Sequence, residues 1–246
     1  MIRDELEYFV YRPRRILFDH LPKCAGTTII EYILMHYPKR HVYRTNGRKP
    51  STSVKEFQSL PKKMRYGHRL IVGHETFKLL GYVHPDTINF TIFRDPVERI
   101  ISHYYFVKKD RQHYLHDQIV KLNLQLADYV CSGLSSELKN WYTKHYTGLS
   151  DGEIEVAPEE AVHHAARVVL ERFDIIGFQD ELTEVMQELR NTARLTKKFE
   201  NKVLNKSRGK NNPQNIAETT KKTIAEVNSV DIELYSLLKA RLSPRN

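Results

Sequence analysis

The stretch from Arg15 to Thr28, R-I-L-F-D-H-L-P-K-C-A-G-T-T, constrains the fold more than any other part of the chain. Ile16, Leu17, Phe18 and Leu21 read as a buried strand that Pro22 ends, and Ile29, Ile30, Ile33, Leu34 and Tyr37 form the apolar stripe of a following helix. The loop between them is expected to cradle an anion. Gly26 lets backbone come close to a ligand, Thr27 and Thr28 put hydroxyls beside free N–H groups, and Lys23 adds a positive charge. The spacing from Thr28 to Glu31 fits a capping box. A nucleoside-triphosphatase P-loop, G-x-x-x-x-G-K-[ST], places its lysine after the glycines, whereas here Lys23 precedes Gly26.

A second stretch, I-N-F-T-I-F-R-D-P-V-E-R-I-I-S-H-Y-Y-F from Ile88 to Phe106, repeats the strand-to-helix pattern. Arg94 stands at the strand's carboxyl end, Asp95 is a strong N-cap, Pro96 suits the first helical position and Glu98 completes a D-x-x-E cap. Ser102 follows about two turns into the helix, so the Arg94 fork and the Ser102 hydroxyl can grip one phosphate from two sides. Across the chain the pattern predicts strands over 15–21, 41–45, 69–73, 88–93 and 174–178. Helices are predicted over 27–37, 96–108, 158–171, 180–191 and 215–241, with helical segments within 114–146. A polar, proline-punctuated loop is expected over 44–67 and a tight turn at Ser150 to Gly152. This alternation implies a single α/β domain over 1–246. Its core is a P-loop-like, mostly parallel sheet with helices on both faces, and ligands lie off the carboxyl strand ends.

The charge is uneven. The net value is +9, and between Arg194 and Lys222 basic residues far outnumber Glu200 and Glu218, as suits a polyanion or a multiply charged small ligand. Phe199 is the one aromatic there and no nucleic-acid module is recognisable, so nucleic acid is not the expected partner. No apolar run reaches the roughly 20 residues of a membrane span. Cys24 and Cys131 make neither a disulfide framework nor a zinc site, and no metal is expected. With the acidic, h-region-free start M-I-R-D-E-L-E-Y, these features suggest a cytoplasmic protein, or a lumenal Golgi fragment if an anchor precedes it.

The two motifs P-K-C-A-G-T-T and F-R-D-P-V-E-R-I-I-S-H-Y together resemble the nucleotide-binding signatures of sulfotransferases that use PAPS (3′-phosphoadenosine 5′-phosphosulfate). The likeness is to the carbohydrate-type branch that includes heparan sulfate 2-O-sulfotransferases. It continues through F-D-I-I-G-F-Q-D and N-K-S-R-G-K and is weak over 111–157. The resemblance implies a sulfotransferase fold and PAPS as donor, with PAP as product. Lys23, Ala25, Gly26, Thr27 and Thr28 would hold the 5′-phosphosulfate, and Arg94 and Ser102 the 3′-phosphate. A basic loop with Lys206, Ser207 and Arg208 would close over the nucleotide. A hydroxyl of a carbohydrate or of a small metabolite is the expected acceptor, with a sugar hydroxyl leading and an already anionic glycan among the candidates; the oligomeric state is not readable from the sequence.

Sulfuryl transfer parallels phosphoryl transfer, where positioning and electrostatics dominate. Lys23 is the candidate to neutralise the bridging oxygen as it leaves. His74, at the end of R-L-I-V-G-H and within a G-H-E-T-F run that resembles the family's histidine segment, is the candidate base, with Glu75 as its rival. Gly73 is expected to leave room beside His74, and His20 to be packed within the first strand. Cys24 is read as backbone support, and Tyr104, Tyr105 and Phe106 as core. Two other classes stay open: a phosphotransferase on an unusual P-loop, and a non-catalytic polyanion binder.

Overall fold

A computed structural model describes residues 12–200 and 216–242. The chain divides into two compact units, each of which folds around its own core.

The first unit, residues 12–93 with 170–200, holds a five-stranded, all-parallel sheet in the order β2-β3-β1-β4-β5. The strands are β1 (Ile16–Asp19), β2 (Val42–Arg44), β3 (Leu70–Gly73), β4 (Ile88–Phe93) and β5 (Ile175–Phe178). β1 is central and buried along its whole length, which explains its unbroken apolar run. Register puts Asp19 of β1 opposite Gly73 of β3 and Thr91 of β4, so the carboxyl ends of β1 and β3 lie side by side. The sheet is flanked by helices, as expected of a parallel α/β sheet. Helix α1 (Gly26–Leu34) buries Ile29, Ile30, Tyr32 and Ile33.

The stretch after β2 is more ordered than its polar sequence suggests. It contains helices α2 (Pro50–Ser59) and α3 (Lys62–Gly67). α2 has only a narrow apolar stripe, yet Val54 and Phe57 pack with Leu17, Ile71, Leu79 and Val83. A fully buried Phe is worth about 1.5–3 kcal/mol, enough to hold a helix whose exposed face reads as loop.

The second unit, residues 94–169 with 216–242, is helical. It begins with α4 (Pro96–Lys109), continues through α5 (His116–Lys121), α6 (Leu126–Cys131), α7 (Trp141–Thr147), α8 (Asp151–Val156) and most of α9 (Pro158–Arg172), and ends with α11 (Glu218–Val227) and α12 (Ser229–Leu242). Helix α10 (Leu182–Ala193) belongs to the first unit. Ile100, Ile101, Tyr104 and Val107 of α4 pack with Leu115, Ile119, Tyr129, Val130, Leu138 and Ile224. Tyr104 is thus core, as expected, but Phe106 is 41% exposed.

Two corrections follow from side chains that bond backbone. Ser150 to Gly152 is not a free turn, because Ser150 and Glu153 form a reciprocal capping box that starts α8. The helix expected over 215–241 is two helices. At Asn228 the buried side chain donates to Leu138 O and Ile224 O and accepts from Asn140 N, which breaks the run. Nearby, the fully buried Asp231 accepts from Tyr142 N, Thr143 N and Thr143 Oγ1, and so caps α7 from another helix.

Candidate active site

The loop between β1 and α1 is built by its backbone. Lys23 (φ +68°) and Ala25 (φ +58°) are both left-handed, with Cys24 between them. Such residues cost about 1–3 kcal/mol each and collect at functional sites, where they turn successive N–H groups toward one point. The expected Thr28–Glu31 capping box does not form. α1 begins at Gly26, its N-cap is Ala25, and no side chain caps it among the described residues. The orphan N–H groups of the first turn therefore suit an anionic ligand. Lys23 and Thr28 are half-buried and Thr27 is exposed, so the loop can be reached. Cys24 is buried, with its thiol on Pro22 O at 3.5 Å, consistent with a supporting role.

His74 stands next to this loop. Its Nδ1 lies 2.7 Å from His20 O. A carbonyl only accepts, so Nδ1 carries a proton in this contact, and in the neutral form of the ring Nε2 is then the acceptor. Gly73 has φ +130°, and a Cβ there would come within 2.1 Å of Thr45 Oγ1. The room it leaves is thus filled by Thr45, whose hydroxyl donates to His74 O at 3.0 Å. Asp19, which belongs to no recognisable motif, secures the same turn: its Oδ1 accepts from Phe77 N at 2.9 Å and Thr76 Oγ1 at 3.2 Å. A lone carboxylate at the end of an apolar strand is the signal that could have found it. The rival base Glu75 is engaged elsewhere, accepting from Ser51 Oγ at 2.8 Å and pairing with Lys78 at 2.7 Å.

His20 is not inside the strand, because β1 ends at Asp19. Its N–H donates to Gly73 O at 3.0 Å and its ring stacks on His74, centroids 4.3 Å apart. Burial, then the His74 charge, push its pKa down to about 3, with Arg44 and Lys23 acting in the same sense and Asp19 against them. His20 is therefore a neutral ring at ordinary pH.

In the second unit, Asp95 caps α4 as expected, accepting from Glu98 N at 3.0 Å. The Glu98 side chain does not return to the cap; it pairs with Arg94 at 3.3 Å. Tyr142, far along the chain and outside both motifs, joins this site. Its hydroxyl donates to Arg94 O at 2.9 Å and accepts from Arg94 N at 3.3 Å, clamping the residue by its backbone. Glu98 and Ser102 are four residues apart on α4, Arg94 precedes the N-cap and reaches Glu98, and Ser102 is half-buried. His103, one position on, is buried between Tyr129 OH at 2.9 Å and Glu137 at 3.3 Å, which helix phase settles as structural. Arg99 is wholly buried, donating to Glu137 O and lying over the Tyr142 ring.

Within the first unit, then, Lys23, Ala25, Gly26, Thr27, Thr28 and His74 share the carboxyl edge of β1 and β3, while in the second Arg94 lies just before α4 and Ser102 about two turns into it. Lys206, Ser207 and Arg208 lie outside the described residues. Among the described residues no cluster of three metal-ligating side chains occurs, and no helix is long and apolar enough to cross a membrane. Both motifs and the parallel sheet invite comparison with known families. A search of curated proteins finds no match to the chain. A family model described as the sulfotransferase family matches residues 6–238, nearly the whole length and both motifs, so the chain belongs to the sulfotransferase family and is an enzyme of sulfuryl transfer.

Proposed function

We propose that the protein transfers the sulfuryl group of PAPS to a hydroxyl of a carbohydrate, with His74 as general base. The observation that carries this reading is the 2.7 Å contact between His74 Nδ1 and His20 O. The Nδ1 proton is committed to His20 O, so Nε2 is ready to take a proton beside an uncapped, lysine-bearing anion loop. Glu75 is not assigned this role because its carboxylate is engaged by Ser51 and Lys78.

In the proposed reaction the acceptor oxygen forms a bond to sulfur as its proton passes to His74 Nε2. The bond from sulfur to the bridging oxygen breaks, and its electron pair leaves with the phosphate of PAP, where Lys23 offsets the charge. The loop fits the phosphosulfate end of the donor because its donors are N–H groups at a helix start. Arg94 and Ser102 are assigned to the 3′-phosphate, the former with its backbone clamped by Tyr142. The acceptor class rests on the resemblance of the two motifs to the carbohydrate-type branch, with the helices over 50–67 and the segment 111–157 as the regions assigned to hold it.

Calorimetry with PAP and with 5′-AMP tests the donor. PAP is expected to bind at least tenfold more tightly, and equal affinities overturn the assignment of Arg94 and Ser102. Transfer of labelled sulfate from PAPS to a panel of desulfated glycans tests the acceptor. His74→Ala should cut turnover by about a hundredfold or more and leave PAP affinity unchanged. Turnover near the wild-type rate would remove His74 from the chemistry.

A further inference from the structure

Gly26 is the one glycine in the anion loop, and an anion site ordinarily uses a glycine so that a ligand can approach the backbone. Here its missing side chain is already accounted for. A Cβ built on Gly26 would fall 1.7 Å from Nε2 of His20, 1.9 Å from Cδ2 and 2.4 Å from Cε1. Gly26 is the first residue of α1 and has no left-handed φ, so backbone geometry does not call for glycine. The edge of the His20 ring occupies that space. The opposite constraint on the ring is His74, stacked 4.3 Å away with 24° between the planes, and Phe18 stacks against it at 5.9 Å. The His20 backbone is fixed too, donating to Gly73 O and accepting from His74 Nδ1.

From these contacts we infer that the His20 imidazole is a positioning residue, a spacer wedged between Gly26 and His74 that sets the base relative to the anion loop. Its backbone carbonyl orients the His74 ring and its own ring limits where that ring can swing. The spacer has to be uncharged, since two imidazolium rings at this separation repel, and the depressed pKa of His20 meets that condition. When His74 takes up the acceptor's proton at Nε2, the pair therefore carries a single positive charge, on His74. The wedge rests on these contacts alone; its value to catalysis rests on the reading of His74 as base.

The test needs no acceptor, so its failure is distinct from that of sulfuryl transfer. Gly26→Ala is measured by thermal melting in the wild-type protein and in His20→Ala. With His20 present the methyl meets the ring, and Tm should fall by roughly 5 °C or more. Without the ring the same substitution should cost nothing or raise Tm, because alanine favours a helix over glycine. His20→Ser serves as the background if the alanine variant does not fold. Long-range ¹H–¹⁵N spectra of histidine-labelled protein, recorded well above the ordinary histidine pKa of about 6.5, supply the second readout. His74 should show one tautomer, protonated at Nδ1, in the wild type and a mixture once the His20 ring is removed. An equal cost of Gly26→Ala in both backgrounds overturns the wedge, and an unmoved His74 tautomer overturns the positioning role.

Discussion

The two candidate anion sites are made of different material. In the first unit the β1–α1 loop presents backbone N–H groups, held by left-handed residues at Lys23 and Ala25, with one lysine side chain added. In the second, the candidate groups are side chains, the Arg94 fork just before α4 and the Ser102 hydroxyl within it, with Arg94 held through its backbone by Tyr142 and through its guanidinium by Glu98. A backbone site is hard to weaken by trimming side chains and easy to break by crowding. A side-chain site behaves the opposite way, and its strength depends on the residues that hold the fork still.

The largest expected effect follows from that contrast. Arg94→Ala removes a charged contact worth about 1.5–3 kcal/mol and should weaken PAP by roughly ten- to a hundredfold in calorimetry. The corresponding loop change, Thr27→Ala, should alter PAP affinity by less than about threefold, because its hydroxyl is one donor beside several N–H groups. Similar losses from both would erase the distinction.

Next in size is an opposite response to pH. His20 stays neutral in the folded protein down to about 3, whereas its unfolded counterpart takes a proton below 6.5. Its contribution to stability is therefore full above 6.5 and is lost as the pH falls toward 3, by about 2 kcal/mol at pH 5. Burial lowers the pKa of His36 as well, with the same sign. Asp231 in the second unit runs the other way. Burial raises its pKa, although Arg99 and the Thr143 and Tyr142 bonds oppose the rise, so its contribution is full below 3.8 and declines as the pH rises through its folded pKa. Hydrogen exchange at pH 5 and pH 7.5 should show the β1 and β3 amides losing protection on acidification more than those of α7. Equal losses would refute the assignment of acid sensitivity to His20.

Tyr142→Phe should have a smaller effect. It deletes one hydroxyl that holds the Arg94 backbone, about 1 kcal/mol, and should weaken PAP about fivefold without changing 5′-AMP. A loss shared by both nucleotides would mean that Tyr142 acts on the whole fold. Smallest of all, Glu31→Ala should shift stability by less than about 0.5 kcal/mol in a denaturant titration, since Glu31 caps nothing. A loss of about 1 kcal/mol would restore the capping box.

Much of the fold and of the candidate site is legible in the sequence. The apolar run Ile16 to Phe18 marks β1, the apolar residues Ile88, Phe90, Ile92 and Phe93 mark β4, Asp95 and Pro96 mark the start of α4, and the order of lysine and glycine sets the loop apart from a nucleoside-triphosphatase. These are local signals, carried by neighbours in sequence. The helices α2 and α3 are not legible, because their polar faces outnumber the few residues, Val54 and Phe57, that hold α2 in the core. Nor is the division of the last helix at Asn228, whose partners Leu138 and Asn140 are about ninety positions away.

The sequence by itself determined the kind of molecule: a parallel α/β sheet, a loop suited to an anionic donor and, through two motifs, a sulfotransferase. Tertiary structure alone decided how the parts are held. Asp19 secures the His74 turn, Thr45 fills the space beside Gly73, Tyr142 clamps Arg94 and the His20 ring occupies the space that Gly26 leaves. Each of these contacts joins residues at least six positions apart, and most join residues tens of positions apart. Local propensity has no access to them, because they exist only once the strands have paired and set distant backbones at fixed spacing.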